Sequence, residues 1–259
     1  MENGVPERLG EILKGVAVGI SPTIPTSPSV DECPTCKGHG WLLDEFSELQ
    51  RCACQVENDK AAREQRLLRL CSLPEGSEGL TFEKFNVARG TAEAYKAALA
   101  LSEGGEATWL VLQGGWDVGK THLAIATARR WLARGISARY IVVPELLDEL
   151  RRAFDPDSSI TYDVQFDFYK NVGLLVLDDL GMESSTRWAQ EKLDMLIDWR
   201  YVRRLPLLVT TNLEFSEMSP RIASRLQRFV PGKVVIIKGP EYRLSKGKVK
   251  GVQHDADSD

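Results

Sequence analysis

Downstream of Leu80 the chain alternates short, unbroken apolar runs with longer segments in which apolar residues recur every three to four positions. The runs at 108–113, 138–143, 173–178, 206–211 and 233–237 have the length and the Val, Ile and Leu content of strands. Trp109-Leu-Val-Leu112 and Val172-Gly-Leu-Leu-Val-Leu177 are apolar almost throughout, a pattern that suits a strand covered on both faces. The segments near Thr91–Leu101 and at 120–133, 144–153, 186–203 and 219–228 carry helical periodicity. Strand and helix in regular alternation predict an α/β fold, a parallel sheet flanked by helices on both faces. In such sheets ligands bind at the carboxyl ends of the strands.

Upstream of Leu80 the pattern is weaker. Leu9, Ile12, Leu13 and Val16 form a helical stripe within Arg8–Gly19, too short to be stable undocked. Ser21-Pro-Thr-Ile-Pro-Thr-Ser-Pro-Ser29 has the composition of a linker. Glu57–Leu70 is charged and helix-prone, and Cys71 sits in an apolar stripe that suits a buried small hydrophobe. The expected division is a helix and linker over 1–30, a cysteine module with a connecting helix over 31–79, a core over 80–245 and a flexible tail over 246–259.

Chemistry enters at the first apolar run. It leads into Gly114-Gly115-Trp116-Asp117-Val118-Gly119-Lys120-Thr121, and His122 then opens a helical segment. Strand, G-x-x-x-x-G-K-T and helix form the phosphate-binding loop of P-loop nucleotidases. Glycines let backbone N–H groups curl around phosphate oxygens, and the helix directs its positive end at them. Lys120 is expected to reach the terminal phosphates of ATP, and Thr121 to place its hydroxyl on Mg²⁺.

A second apolar run ends in Asp178-Asp179. Adjacent acids at the end of a buried strand are costly unless they sit at its mouth with a cation. Asp178 is thus the expected Mg²⁺-side carboxylate, and Asp179 the group that orients or deprotonates the attacking water.

Four of the five cysteines, Cys33, Cys36, Cys52 and Cys54, fall within twenty-two residues. Thiols stay reduced in the cytosol, so this clustering predicts a structural Zn²⁺ site with four thiolate ligands. His39 is the alternative to Cys52 or Cys54 in that set.

Composition adds bounds. With 259 residues, 43% hydrophobic and 27% charged, the chain suits one main globular domain and a small appendage. It holds no apolar run long enough for a membrane span and no signal-peptide pattern at its start, so a cytoplasmic location without membrane contact is expected. The net charge of −4 conceals an asymmetry: Arg200–Lys250 carries twelve Lys or Arg against three Glu. That +9 stretch fits contact with phosphates, although most such residues form a solvated face.

Gly119-Lys-Thr-His-Leu-Ala124, Leu177-Asp-Asp-Leu-Gly181, Pro206-Leu-Leu-Val-Thr-Thr-Asn212, Arg221-Ile-Ala-Ser-Arg-Leu226 and Glu241-Tyr-Arg243 occur in that order. Over roughly 80–245 this set resembles the AAA+ ATPases of the DnaC/DnaI helicase-loader and IstB transposition-helper group. The cysteine module resembles, more loosely, the zinc-bearing region of DnaI-type loaders. The resemblance implies an ATPase that assembles as a homo-oligomer with shared ATP sites. It implies that Asn212 helps hold the attacking water and that Arg225 is an arginine finger reaching a neighbour's nucleotide, with Arg221 its competitor. Arg243 would reach the γ-phosphate of its own subunit.

The implied partners are a replicative DNA helicase and single-stranded DNA. An element near the aromatic segment Phe154–Tyr169 touches the strand in loaders, while the bland reading packs those rings between helices. A transposition helper and a nucleotide-switch adaptor with little hydrolysis are the alternatives. An initiator is disfavoured, because a duplex-binding domain would have to follow the core. Two residues depart from the AAA+ pattern: Asp117 stands where many loops carry a third glycine, and Asp179 where many carry Glu. Slow hydrolysis would follow from the shorter acid.

Overall fold

The computed structural model describes residues 33–88, 90–105, 107–181, 186–228 and 231–238. The predicted helix at Arg8–Gly19, the proline-rich linker, Arg243 and the tail lie outside them. The chain divides into two compact units, with the boundary in sequence between Leu70 and Cys71.

In the first unit β1 (Trp41–Leu43) pairs antiparallel with β2 (Leu49–Arg51), and α1 (Ala53–Cys71) follows. Asp44 builds the turn between the strands: its Oδ1 accepts the N–H groups of Phe46 and Glu48, both at 2.9 Å. Periodicity did not predict this hairpin. Three-residue strands are too short to show alternation, and Trp41, Leu43 and Leu49 are exposed.

The second unit is the predicted α/β core. Its elements run α2 (Ala92–Ser102), β3 (Trp109–Gly114), α3 (Lys120–Ala133), β4 (Ala138–Val142), α4 (Val143–Arg152), α5 (Tyr162–Asn171) and β5 (Leu174–Leu180). They continue as α6 (Arg187–Arg203), β6 (Leu207–Thr211), α7 (Pro220–Arg228) and β7 (Gly232–Ile237). The strands form one parallel sheet in the order β4-β5-β6-β3-β7. From β3 the chain crosses to the far edge at β4 and then returns strand by strand. Right-handed crossovers in opposite directions put α3 on one face and α4 to α7 on the other. The central strands β3, β5 and β6 are buried almost throughout, which is why they read as unbroken apolar runs. Edge strand β7 alternates instead, with Ile236 exposed between buried Val235 and Ile237.

Element boundaries shift by a residue or two from expectation. Helix α4 begins at Val143 because Pro144 suits a first turn, and β5 runs past its predicted end at 178 to Leu180. The larger difference is α5, a helix within the aromatic segment. It buries Phe166, Phe168 and Tyr169, as the packing alternative held for those three rings, while Phe154 stays exposed.

One buried cation ties these layers together. Arg200 of α6 is fully buried. Its Nη1 donates to the carbonyls of Tyr169 and Lys170, both at 3.0 Å, and its Nη2 to those of Val172 and Pro206 at 2.9 and 2.6 Å. It thereby caps the carboxyl end of α5 and holds the entrance of β6. Burial lowers its pKa to about 9, which leaves it charged at neutral pH. Arg200→Ala strands the carbonyls of Tyr169, Lys170 and Val172, while that of Pro206 keeps the Leu175 N–H at 3.2 Å, and urea unfolding is expected to show a loss of about 3 kcal/mol or more.

Candidate functional site

The loop after β3 and the ends of β5 and β6 meet at the carboxyl edge of the sheet. Gly119 adopts φ +93°, and a Cβ there would meet Phe85 Cε2 at 2.7 Å. Both facts call for glycine at that position. Asp117, the departure from the usual loop pattern, has φ +57°. This left-handed geometry is one that glycine adopts without strain and that Asp tolerates better than most residues. Trp116 points into solvent, while Val118 is buried.

Lys120 is buried, and its Nζ donates to the carbonyls of Gly114 and Gly115 at 3.0 and 2.6 Å and to Asn212 Oδ1 at 2.6 Å. Burial pulls its pKa below the ordinary lysine range, against the opposing fields of Asp179, Asp178 and Asp117. Lys120 and Asn212, ninety-two positions apart, thus share one contact. His122 Nε2 lies 2.8 Å from the carbonyl of Thr81, which can only accept, so this nitrogen carries the proton. Its ring meets Phe85 edge-on at 5.1 Å.

Asp178 is almost wholly buried. Its Oδ1 accepts from Thr210 Oγ1 at 2.5 Å and from Thr121 Oγ1 at 3.2 Å, and its Oδ2 accepts from Tyr140 Oη at 2.6 Å. Burial and the neighbouring Asp178 hold the Tyr140 phenol well above its usual range, so it remains a donor. Burial first, and then Asp178, raise the carboxyl of Asp179, while Lys120 opposes them.

Arg225, the expected finger, does not join this group. Its Nε donates to Asp198 Oδ1 of α6 at 2.7 Å, and its guanidinium lies 4.4 Å from the ring centroid of Tyr201. Arg221 pairs with the other oxygen of the same Asp198. The two competing arginines share one carboxylate.

The aromatic segment makes a further cluster. Phe154 stacks on Tyr162 at 4.5 Å, and Tyr162 on Phe166 at 5.4 Å. Lys192 lies over Tyr162 at 4.8 Å, and Arg151 over Trp188 at 4.9 Å. Lys170 and Arg203 lie over Trp199 at 4.2 and 3.2 Å.

In the first unit the sulfurs of Cys33, Cys36, Cys52 and Cys54 lie within 4.8 Å of one another. Cys33 Sγ is 3.8 Å from Cys52 Sγ, and Cys36 Sγ 3.4 Å from Cys54 Sγ. These separations are far beyond a disulfide bond. They are near the roughly 3.8 Å edge of a tetrahedron with metal–sulfur bonds of about 2.3 Å. Backbone N–H groups of Cys36 and Thr35 lower the Cys33 thiol to about 6. His39 is exposed and is not part of the cluster.

A family model described as IstB-like ATP binding protein matches residues 44–248. The chain belongs to this family. The match begins upstream of the core, at the turn of the hairpin, and takes in β2 and all of α1. The replicative helicase loader DnaI of Bacillus subtilis (strain 168) is 24% identical over 177 residues, covering 66% of this chain and 56% of the relative. The chromosomal replication initiator protein DnaA of Bordetella pertussis is 27% identical over 169 residues, covering 64% of this chain and 35% of the relative. The chain thus spans about a third of the initiator's length and little more than half of that loader's. A structure of replication initiator DnaA bound to AMPPCP and single-stranded DNA superposes with a TM-score of 0.57 at 23% identity, over 67% of this chain and 55% of that one. The likeness establishes the AAA+ fold. Among the described residues, no helix is long and apolar enough to cross a membrane.

Sequence reading of this family member missed three contributors to the mouth: the Thr81–Phe85 segment against the loop, Tyr140 and Thr210. Tyr140 lies within the short strand β4, and Thr210 lies beside Thr211 at the end of β6, so neither has a spacing signal of its own. The Asp198 cluster can be tested through its charge. Burial alone would raise the Asp198 carboxyl, but hydrogen bonds from Arg225 and Arg221 outweigh it and hold the group low. A depressed carboxyl contributes stability above its unfolded pKa of about 3.9 and loses it as pH falls through the folded value. Asp198→Asn is therefore expected to cost up to about 1 kcal/mol at pH 7 for so solvent-facing a cluster. In urea titrations that difference should close as the medium is made more acidic than about pH 3.9.

Proposed function

We propose that this protein is an ATP-hydrolysing replication protein, a loader of a replicative helicase that acts on single-stranded DNA. The observation that carries the reading is the convergence of Lys120, Thr121, Asp178 and Asn212 at one mouth of the sheet. Lys120 and the N–H groups of the 114–122 loop would hold the phosphates of ATP. Thr121 and Asp178 supply hard oxygen donors within 3.2 Å of each other, a set that suits Mg²⁺. Mg²⁺, when bound, neutralises charge on the terminal phosphates. Asp179 and Asn212 would orient the attacking water, and the short reach of Asp179 favours slow turnover. Arg225 would act on a neighbouring subunit's nucleotide in a homo-oligomer, which requires it to turn from Asp198 or to use the guanidinium nitrogens other than Nε. Arg243 would serve its own subunit's γ-phosphate.

Rings interleaved with cations along α4, α5, α6 and the segment after α4 support contact with single-stranded DNA, where bases stack and phosphates meet positive charge. The solved relative with single-stranded DNA and AMPPCP supports the same pairing of ligands. The family description favours a second reading, a transposition helper with the same ATP chemistry.

Lys120→Ala is expected to abolish ATP turnover, while single-stranded DNA should raise that of the unaltered protein. Normal hydrolysis by the variant would overturn the site assignment. Capture of the replicative helicase from the same source, with and without ATP, separates the readings: capture supports the loader, and capture of a transposase instead supports the helper.

The four cysteines fit a structural Zn²⁺ site in donor type and spacing. Protein purified under reducing conditions is expected to carry about one zinc per chain by elemental analysis. Cys36→Ser should remove that zinc and leave ATP binding by the second unit measurable.

A further inference from the structure

Consecutive residues of a strand point to opposite faces of its sheet. In a regular β5, Asp178 and Asp179 would therefore diverge, and only one could serve the mouth. The register shows how the chain avoids this. Leu177 pairs with Val209 and Leu180 with Thr211, so Asp178 and Asp179 together face the single residue Thr210. This is a β-bulge, a device that re-aims a side chain by inserting one residue. Asp179 takes φ +55° to make it.

A bulge frees a backbone donor, and Thr210 recovers it. Its Oγ1 accepts the Asp179 N–H at 3.0 Å and gives its own proton to Asp178 Oδ1 at 2.5 Å. One hydroxyl thus serves both acids. From the opposite side, Tyr140 Oη fixes Asp178 Oδ2 at 2.6 Å. Tyr140, Asp178 and Thr210 are each at least 96% buried. Thr121, the third donor to Asp178, is the hydroxyl committed to the cation in the reading above. Tyr140 and Thr210 are then the donors left to hold the carboxylate.

We propose that Thr210, together with Tyr140, is a positioning residue of the nucleotide site: the Thr210 hydroxyl locks the bulge that turns both acids to the mouth, and the two hydroxyls set the direction of the Asp178 carboxylate. The inference rests on the assignment of Asp178 to Mg²⁺. Hydroxyls that merely satisfied a buried carboxylate would matter for stability and not for cation dependence. Removing an outer-shell partner of a ligand typically weakens metal affinity by about 10–100-fold.

The test is a titration of Mg²⁺ into full-length protein with a fluorescent ATP analogue, repeated in EDTA. Thr210→Val keeps the shape and removes the hydroxyl, Thr210→Ser restores it, and Tyr140→Phe removes one oxygen. The half-saturating Mg²⁺ concentration is expected to rise about 10-fold or more in Thr210→Val and Tyr140→Phe. Thr210→Ser should follow the unaltered protein, and nucleotide affinity in EDTA should be the same throughout. An unaltered Mg²⁺ curve in Thr210→Val and Tyr140→Phe overturns the inference, as does a Thr210→Ser protein as impaired as Thr210→Val. Should Thr210→Val fail to fold, Tyr140→Phe decides: a normal Mg²⁺ curve overturns the clamp on Asp178, and a shifted one supports it. An unaltered protein that binds no nucleotide would overturn the function itself, a distinct result from normal binding with unaffected variants.

Discussion

A carboxylate buried at the end of a central strand is expensive, and much of the site follows from meeting that expense. Asp178 is almost entirely withdrawn from water, while the Mg²⁺ role proposed for it calls for a carboxylate held by donors. The fold surrounds it with hydroxyls from three different elements: Thr121 at the start of α3, Tyr140 on β4 and Thr210 on β6. Hydroxyl donors stabilise the charged form without adding a fixed positive charge to compete with a metal ion. The strand order makes this possible, since β5 lies between β4 and β6 and can be approached from both sides.

Cations elsewhere are handled by the same rule of local satisfaction. Arg200 donates to backbone carbonyls and works as a buried staple between α5, α6 and β6. Arg221 and Arg225 share Asp198 nearer the surface, where water screens the cluster. Their difference in burial separates the roles: one arginine is locked into the layer structure, and the other two sit where a partner's charge can compete for them.

Most of the fold was legible because central parallel strands, covered on both faces, are apolar until their carboxyl ends, as β3, β5 and β6 are. The phosphate loop was legible because its chemistry demands fixed spacing between glycines, Lys120 and Thr121. The hairpin at 41–51 and helix α5 were not. Strands of three residues carry no measurable period, and in α5 aromatic side chains that serve the core look like those of a binding surface. Asp117 departs from the loop pattern at a left-handed position, one that glycine suits best and Asp tolerates.

The linear order of residues was enough to assign the α/β class, the nucleotide loop, the paired acids and the cysteine quartet, because each is a local pattern with its own chemical reason. Tertiary structure alone decided which residues meet. Lys120 finds Asn212 across ninety-two positions, Asp178 finds Tyr140 and Thr210, and Arg225 finds Asp198. It also decided that two neighbouring acids could face one mouth. The alternation of a strand forbids that arrangement, and only a bulge against β6 permits it.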